Sequence, residues 1–254
     1  MKSLTYFLQK KRETGKTLFV PYLMAGANGL ENLAQEIHML AECGADAIEI
    51  GIPFSDPVAD GPTIQKAGLK ALQKKVTLAK IIAALKEIHA PVPLIMMGYT
   101  NSFFRYGLEK FVEDIAQTDV KGMIIPDLPF EHRDLVKPVL DENDIALLQL
   151  ISLTSSKKRI TELLSVAEGF VYAVTLNGIT GSKNDYEKKL DDHLAYITKQ
   201  SSIPVLAGFG ISQKEHVTRF KANCDGVVIG SKIVSTLENE GIAATRKIIY
   251  QIMQ

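Results

Sequence analysis

Glu49 stands between Ile48 and Ile50 in a short apolar run, and Asp60 lies eleven residues further along. Between them runs Gly51-Ile52-Pro53-Phe54-Ser55-Asp56-Pro57-Val58-Ala59, and Gly61-Pro62 follows. A carboxylate among isoleucines is costly unless it has a partner or a task. Two carboxylates in different surroundings can hold different protonation states at one pH. That combination supplies a proton donor and an anion able to stabilise developing positive charge. Desolvation would favour the neutral, donating form of Glu49. The plainer readings are a Glu paired with a basic residue of a neighbouring strand and an Asp-Gly turn. What favours chemistry is an acid at each end of a loop longer than a strand-to-helix connection needs.

Three later segments share a different chemistry: Asn177-Gly178-Ile179-Thr180-Gly181-Ser182, Gly208-Phe209-Gly210-Ile211-Ser212, and Gly230-Ser231 opening a helical run. Glycines let backbone N–H groups approach a phosphate, and a helix N-terminus adds unpaired donors and a favourable dipole. None is a P-loop, because the Gly-Lys-Ser/Thr ending is missing. The first two segments carry no Lys or Arg, and only Lys232 is near the third. Such a site would hold a phosphate mainly by preorganised backbone dipoles.

The elements that must position these residues alternate. Eight β-rich runs are predicted at 17–23, 45–50, 93–97, 122–125, 146–150, 170–175, 204–207 and 226–229. Helical spacing is predicted at 29–43, 77–89, 134–141, 157–167, 189–200, 213–221 and 233–238, with an extra helix at 3–14 before the first strand. Strands alternating with helices imply parallel pairing. Eight such units in about 250 residues suit a (β/α)8 TIM barrel with an extra N-terminal helix. A doubly wound sheet would carry a Gly-rich crossover after the first strand, and Met24-Ala25-Gly26-Ala27-Asn28-Gly29 lacks G-x-G-x-x-G. In a barrel the side chain of Glu49 faces the interior at the C-terminal end of the second strand, and the three glycine segments follow the sixth, seventh and eighth. With no linker or low-complexity stretch, residues 1–254 read as a single TIM-barrel domain.

Composition narrows the remaining classes. Acidic and basic residues number 29 each, so no global field would recruit nucleic acid or an anionic membrane. Apolar runs are too short to span a bilayer, and the first residues show no signal-peptide pattern, so the expected location is cytoplasmic. Cys43 and Cys224 lie in unrelated segments and read as reduced, buried thiols. The five histidines show no metal-ligand spacing, so no metal is expected.

Residues 48–61 resemble, position by position, the signature of the tryptophan synthase alpha chain family. Similar landmarks follow in the same order: Phe19-Val20-Pro21-Tyr22, Gly98-Tyr99-Thr100-Asn101, Pro126-Asp127-Leu128-Pro129, Gly178-Ile179-Thr180-Gly181, Gly208-Phe209-Gly210-Ile211-Ser212 and Gly230-Ser231. The resemblance covers essentially the whole chain. It implies a (β/α)8 barrel that cleaves indole-3-glycerol phosphate to indole and glyceraldehyde 3-phosphate by a reverse aldol reaction. By the same resemblance Glu49 transfers the proton, and Asp60 holds the indole N–H. Gly181, Gly210, Gly230 and Ser231 would hold the phosphate, and Thr180 would contact the substrate. Tyr22, Met97, Ile124, Tyr172 and Phe209 would flank the indole. For Met97, Ile124 and Phe209, core packing is the competing role.

The family also implies a partner. Its alpha chains carry no cofactor and work with a beta chain that holds pyridoxal phosphate, in an α2β2 heterotetramer with indole passed through a tunnel. The loop 53–62, Asn101 and the Asp127, Leu128, Pro129 turn would then lie near that partner. This chain departs from many members in having Thr175-Leu176-Asn177 where they carry Ser-Arg, and Leu153-Thr154-Ser155 where they carry a Pro-Thr-Thr-like segment. Other readings of the residues are a sugar-phosphate isomerase or aldolase, a non-catalytic ligand-binding subunit, and a free-standing indole-forming lyase. No strand-end Lys stands out for Schiff-base chemistry.

Overall fold

The computed structural model describes residues 1–175, 183–208 and 210–254, without the side chains of 183–186. Thr180, Gly181 and Phe209 therefore lie outside the described residues, as does Leu176. The described strands are β1 (Leu18–Met24), β2 (Ile48–Gly51), β3 (Leu94–Met97), β4 (Val120–Ile124), β5 (Ala146–Leu147), β6 (Gln149–Ser152), β7 (Val171–Val174), β8 (Val205–Gly208) and β9 (Gly226–Ile229). Their order is β5-β4-β3-β2-β1-β9-β8-β7-β6, and neighbouring strands pair in parallel. Only Leu148 separates β5 from β6. The two ends of the order are thus consecutive pieces of one stave, and the sheet closes into an eight-stave (β/α)8 barrel.

The helices are α1 (Ser3–Glu13), α2 (Leu33–Glu42), α3 (Pro62–Gln73), α4 (Leu78–Lys86), α5 (Thr100–Tyr106), α6 (Leu108–Ala116), α7 (Lys137–Glu142), α8 (Lys157–Leu164), α9 (Lys183–Gln200), α10 (Lys214–Lys221) and α11 (Ser231–Met253). Strand alternation divides the core in two. Phe19, Leu23, Ile48, Ile50 and Met96 belong to the layer between sheet and helices. Val20, Tyr22, Ile95, Met97, Leu206 and Val228 fill the barrel. Leu4 and Leu8 of α1 join this interior cluster, and Thr5 Oγ1 accepts the Gly169 N–H at 2.7 Å. The extra helix therefore packs into the end of the barrel where the strands begin.

Every predicted strand is present, but the helix expectations need correction. α3 occupies a stretch for which no helix is predicted: Pro62 takes a first-turn position, where its missing N–H costs nothing. Its buried face is Ile64, Ala67, Gly68 and Ala71, too small to give a strong apolar period. α5 and α6 were not expected either. Gly107, at φ +94°, separates them and masks the helical spacing of Leu108, Phe111, Val112 and Ile115. α11 runs well beyond residue 238, with a break at Gly241, where φ is +80°.

Candidate active site

The site is built on the β1–β2 pair. The register sets Tyr22 opposite Glu49, and both face the barrel interior. Glu49 is only 3% exposed. Burial, with a smaller contribution from the charge of Asp60, pushes its carboxyl up to about 8. Asp60 arrives from the loop after β2. Burial raises it too, but a hydrogen bond with Tyr99 works against that, and its value is about 6. The two acids thus straddle neutrality with Glu49 protonated and Asp60 ionised.

Tyr99, just beyond β3, holds the acid-bearing loop. Its hydroxyl accepts the Ala59 N–H at 3.0 Å and hydrogen-bonds Asp60. Its ring stacks on Phe54 with centroids 5.0 Å apart and planes at 20°. The next residue, Thr100, donates through N–H and Oγ1 to Asp127 Oδ1, both at 2.9 Å. The segments after β2, β3 and β4 are therefore tied in sequence. Tyr99 as a clamp carried no signal in the sequence, because its partners lie 40 residues away in the chain.

Two strand-end glycines have a role that the sequence did not suggest. A Cβ on Gly51 would lie 1.9 Å from Tyr22 Oη, and one on Gly208 would lie 2.2 Å from the Tyr172 ring. Each glycine clears a place on one stave for a tyrosine from the next. Neither is a loop residue, since β2 ends at Gly51 and β8 at Gly208.

These side chains open on a cavity of about 470 Å³. Tyr22, Glu49, Asp60, Met97 and Tyr172 line one part of it, with Ile64 of α3. Gly210, Ser212, Gly230, Ser231, Lys232 and Ser235 line another. Gly210 takes φ +76°, and Ser231 begins the long α11, whose first-turn N–H groups have no helical acceptor. That end offers donors and a positive dipole to an anion. Ser235, one turn after Ser231, was missed in the sequence although the four-residue spacing puts both on one helical face. Ile124 is 1% exposed in the interior cluster and is not among the residues lining the cavity.

Among the described residues, no group of His, Cys, Asp or Glu could hold a metal ion, and no helix is long and apolar enough to cross a membrane. Cys43 and Cys224 are buried free thiols.

The sequence model of the family described as tryptophan synthase alpha chain matches residues 8–253. The chain belongs to the tryptophan synthase alpha chain family. It is 51% identical over 238 residues to the tryptophan synthase alpha chain of Streptococcus pneumoniae serotype 19F (strain G54), covering 93% of this chain and 92% of that one. Identity to the alpha chain of Listeria monocytogenes serotype 4a (strain HCC23) is 51% over 242 residues, covering 95% and 93%. Among solved structures, the alpha subunit from Campylobacter jejuni superposes with a TM-score of 0.86 at 32% identity, covering 93% of this chain and 96% of that one. The aminoacrylate-bound tryptophan synthase from M. tuberculosis gives 0.89 at 27% identity, covering 100% and 98%. The alpha chain is accordingly a lyase of tryptophan biosynthesis.

Proposed function

We propose that this alpha chain, as a single barrel domain over residues 1–254, cleaves indole-3-glycerol phosphate to indole and glyceraldehyde 3-phosphate. The observation that carries the reading is the pairing of a buried Glu49 and a half-buried Asp60 of different acidity with an anion-attracting helix terminus around one cavity. The C–C bond breaks once indole C3 is protonated, because the ring then becomes an electron-accepting indolenine. Glu49, neutral at pH 7, donates that proton. Asp60, ionised, accepts the indole N–H and stabilises its growing positive charge. The adjacent glyceryl hydroxyl gives up its proton as the aldehyde forms, so protons balance over the turnover. Gly181, Gly210, Gly230 and Ser231 hold the phosphate, and Thr180 contacts the substrate. Tyr22, Met97, Tyr172 and Phe209 surround the indole, while Ile124 stays in the packed interior.

The chain itself supplies no cofactor in this reading. Its partner is a beta chain carrying pyridoxal phosphate, in an α2β2 assembly that receives the indole. Exposed apolar residues support a docking face: Val58 is 83% exposed, Leu135 58% and Phe104 44%. They follow β2, β4 and β3 on adjacent staves, at the end of the barrel where the cavity opens.

The test is indole release from indole-3-glycerol phosphate, with and without a beta chain. Turnover by the isolated chain, accelerated by the partner, is expected. No indole under either condition would sink the proposal. Equal rates with and without the partner would leave a free-standing lyase.

A further inference from the structure

A buried polar atom without a hydrogen-bond partner is expensive, and such atoms concentrate at functional sites. Among the described residues the buried side-chain atoms of this kind are Tyr22 Oη, Glu49 Oε2 and His193 Nε2. The first two belong to residues paired across β1 and β2, and both residues line the cavity. Glu49 has a task in the proposed reaction, whereas the Tyr22 hydroxyl has none. Tyr22 is 5% exposed, and β2 ends in a glycine at the one place where any side chain would collide with its hydroxyl. A phenylalanine would fill the same interior space without the orphaned group.

The position of Tyr22 indicates what could satisfy it. Its stave, β1, lies between β2, which leads to both acids, and β9, which leads to Gly230 and Ser231. A Cβ on Gly230 would lie 3.5 Å from Tyr22 Cβ. A substrate with its ring at the acids and its phosphate at α11 carries its linking chain across β1. The ring N–H is engaged by Asp60 and the phosphate by the glycine loops, which leaves the hydroxyls of the link. We propose that the Tyr22 hydroxyl contacts the substrate, making with a glyceryl hydroxyl the hydrogen bond that it lacks within the protein. This rests on the reading of the cavity as the indole-3-glycerol phosphate site.

The experiment compares the wild type with Tyr22→Phe in three measurements. On indole-3-glycerol phosphate, kcat/KM of the variant is expected to fall about tenfold. Affinity for indole-3-propanol phosphate, which keeps ring and phosphate but lacks both glyceryl hydroxyls, should stay within twofold. The melting temperature should not fall, because an unpartnered buried hydroxyl has been removed. Unchanged kcat/KM overturns the contact. An equal loss of analogue affinity overturns its assignment to the glyceryl link. A lower melting temperature shows that the hydroxyl is already bonded in the free protein, and also overturns it. A wild type that releases no indole defeats the reading of the site itself, which is a different failure from an active wild type matched by its variant.

Discussion

The acids that brace the start of the strands and the two that face the cavity at their end are treated in opposite ways. Where the strands begin, Asp46, Asp119, Glu168 and Asp225 shortly precede β2, β4, β7 and β9. Each accepts a backbone N–H from the neighbouring stave or its lead-in: Phe19 at 2.9 Å, Ala90 at 2.7 Å, Leu147 at 3.0 Å and Val205 at 2.8 Å. Each also has a basic side chain within 4.0 Å, namely Lys11, His89, Lys137 and Arg12. Where the strands end, Glu49 and Asp60 have no ion pair among the described residues, and one oxygen of Glu49 has no partner there. Burial raises Asp46 as well, but the Phe19 N–H and nearby lysines oppose it. The same residue type becomes a staple where partners are supplied and a titrating group near neutrality where they are withheld.

The largest expected effect that tests this contrast comes from Glu49→Gln. Indole release should fall by about a thousandfold while phosphate-ligand binding survives. Near-normal turnover would remove Glu49 from the proton transfer. The same variant should gain stability at alkaline pH. The folded carboxyl titrates near 8, above an unfolded Glu, so its stabilising contribution is complete below the unfolded value and lost as pH rises through about 8. Denaturant titrations at pH 6 and pH 9 should show the wild type weakening and the Gln variant nearly flat.

Asp60→Asn comes next, with a loss of about a hundredfold. The wild-type pH profile of kcat/KM should rise near 6 and fall near 8, values that belong to the coupled pair. The variant should keep only the alkaline limb, and a surviving acidic limb would assign it elsewhere. Tyr99→Phe keeps the stack on Phe54 but removes the bonds to Ala59 and Asp60. A fall of about three- to tenfold in kcat/KM is expected. Its acidic limb should move upward, because the bond that lowered Asp60 is gone. The smallest effect on turnover is expected from a staple. Asp225→Ala should leave kcat/KM within about twofold but cost about 1–3 kcal/mol of stability, by orphaning the Val205 N–H. Lost turnover without lost stability there would break the contrast between the two ends.

Much of the architecture was legible along the chain. Strand apolarity is local, so all eight staves stand where the sequence put them. The helices that escaped notice had weak or interrupted periods: α3 buries small residues, and Gly107 cuts the period shared by α5 and α6. In the site, Glu49 was legible because a carboxylate between isoleucines is locally anomalous, and Gly230-Ser231 because a glycine before a helix is a local signal.

What the sequence by itself determined was the set of groups available: one acid on a strand and a second on the loop after it, the glycine segments and the alternation that builds a barrel. Tertiary structure decided what those groups became. The Tyr22–Glu49 register, the Tyr99 clamp on Asp60 and the clearance over Gly51 and Gly208 join residues remote in the chain. The physical reason is that acidity and hydrogen-bond satisfaction depend on what lies within a few ångströms in space. Asp46 and Asp60 are both aspartates beside apolar strands, and only the closed barrel gives one a backbone donor and a lysine and leaves the other facing the cavity.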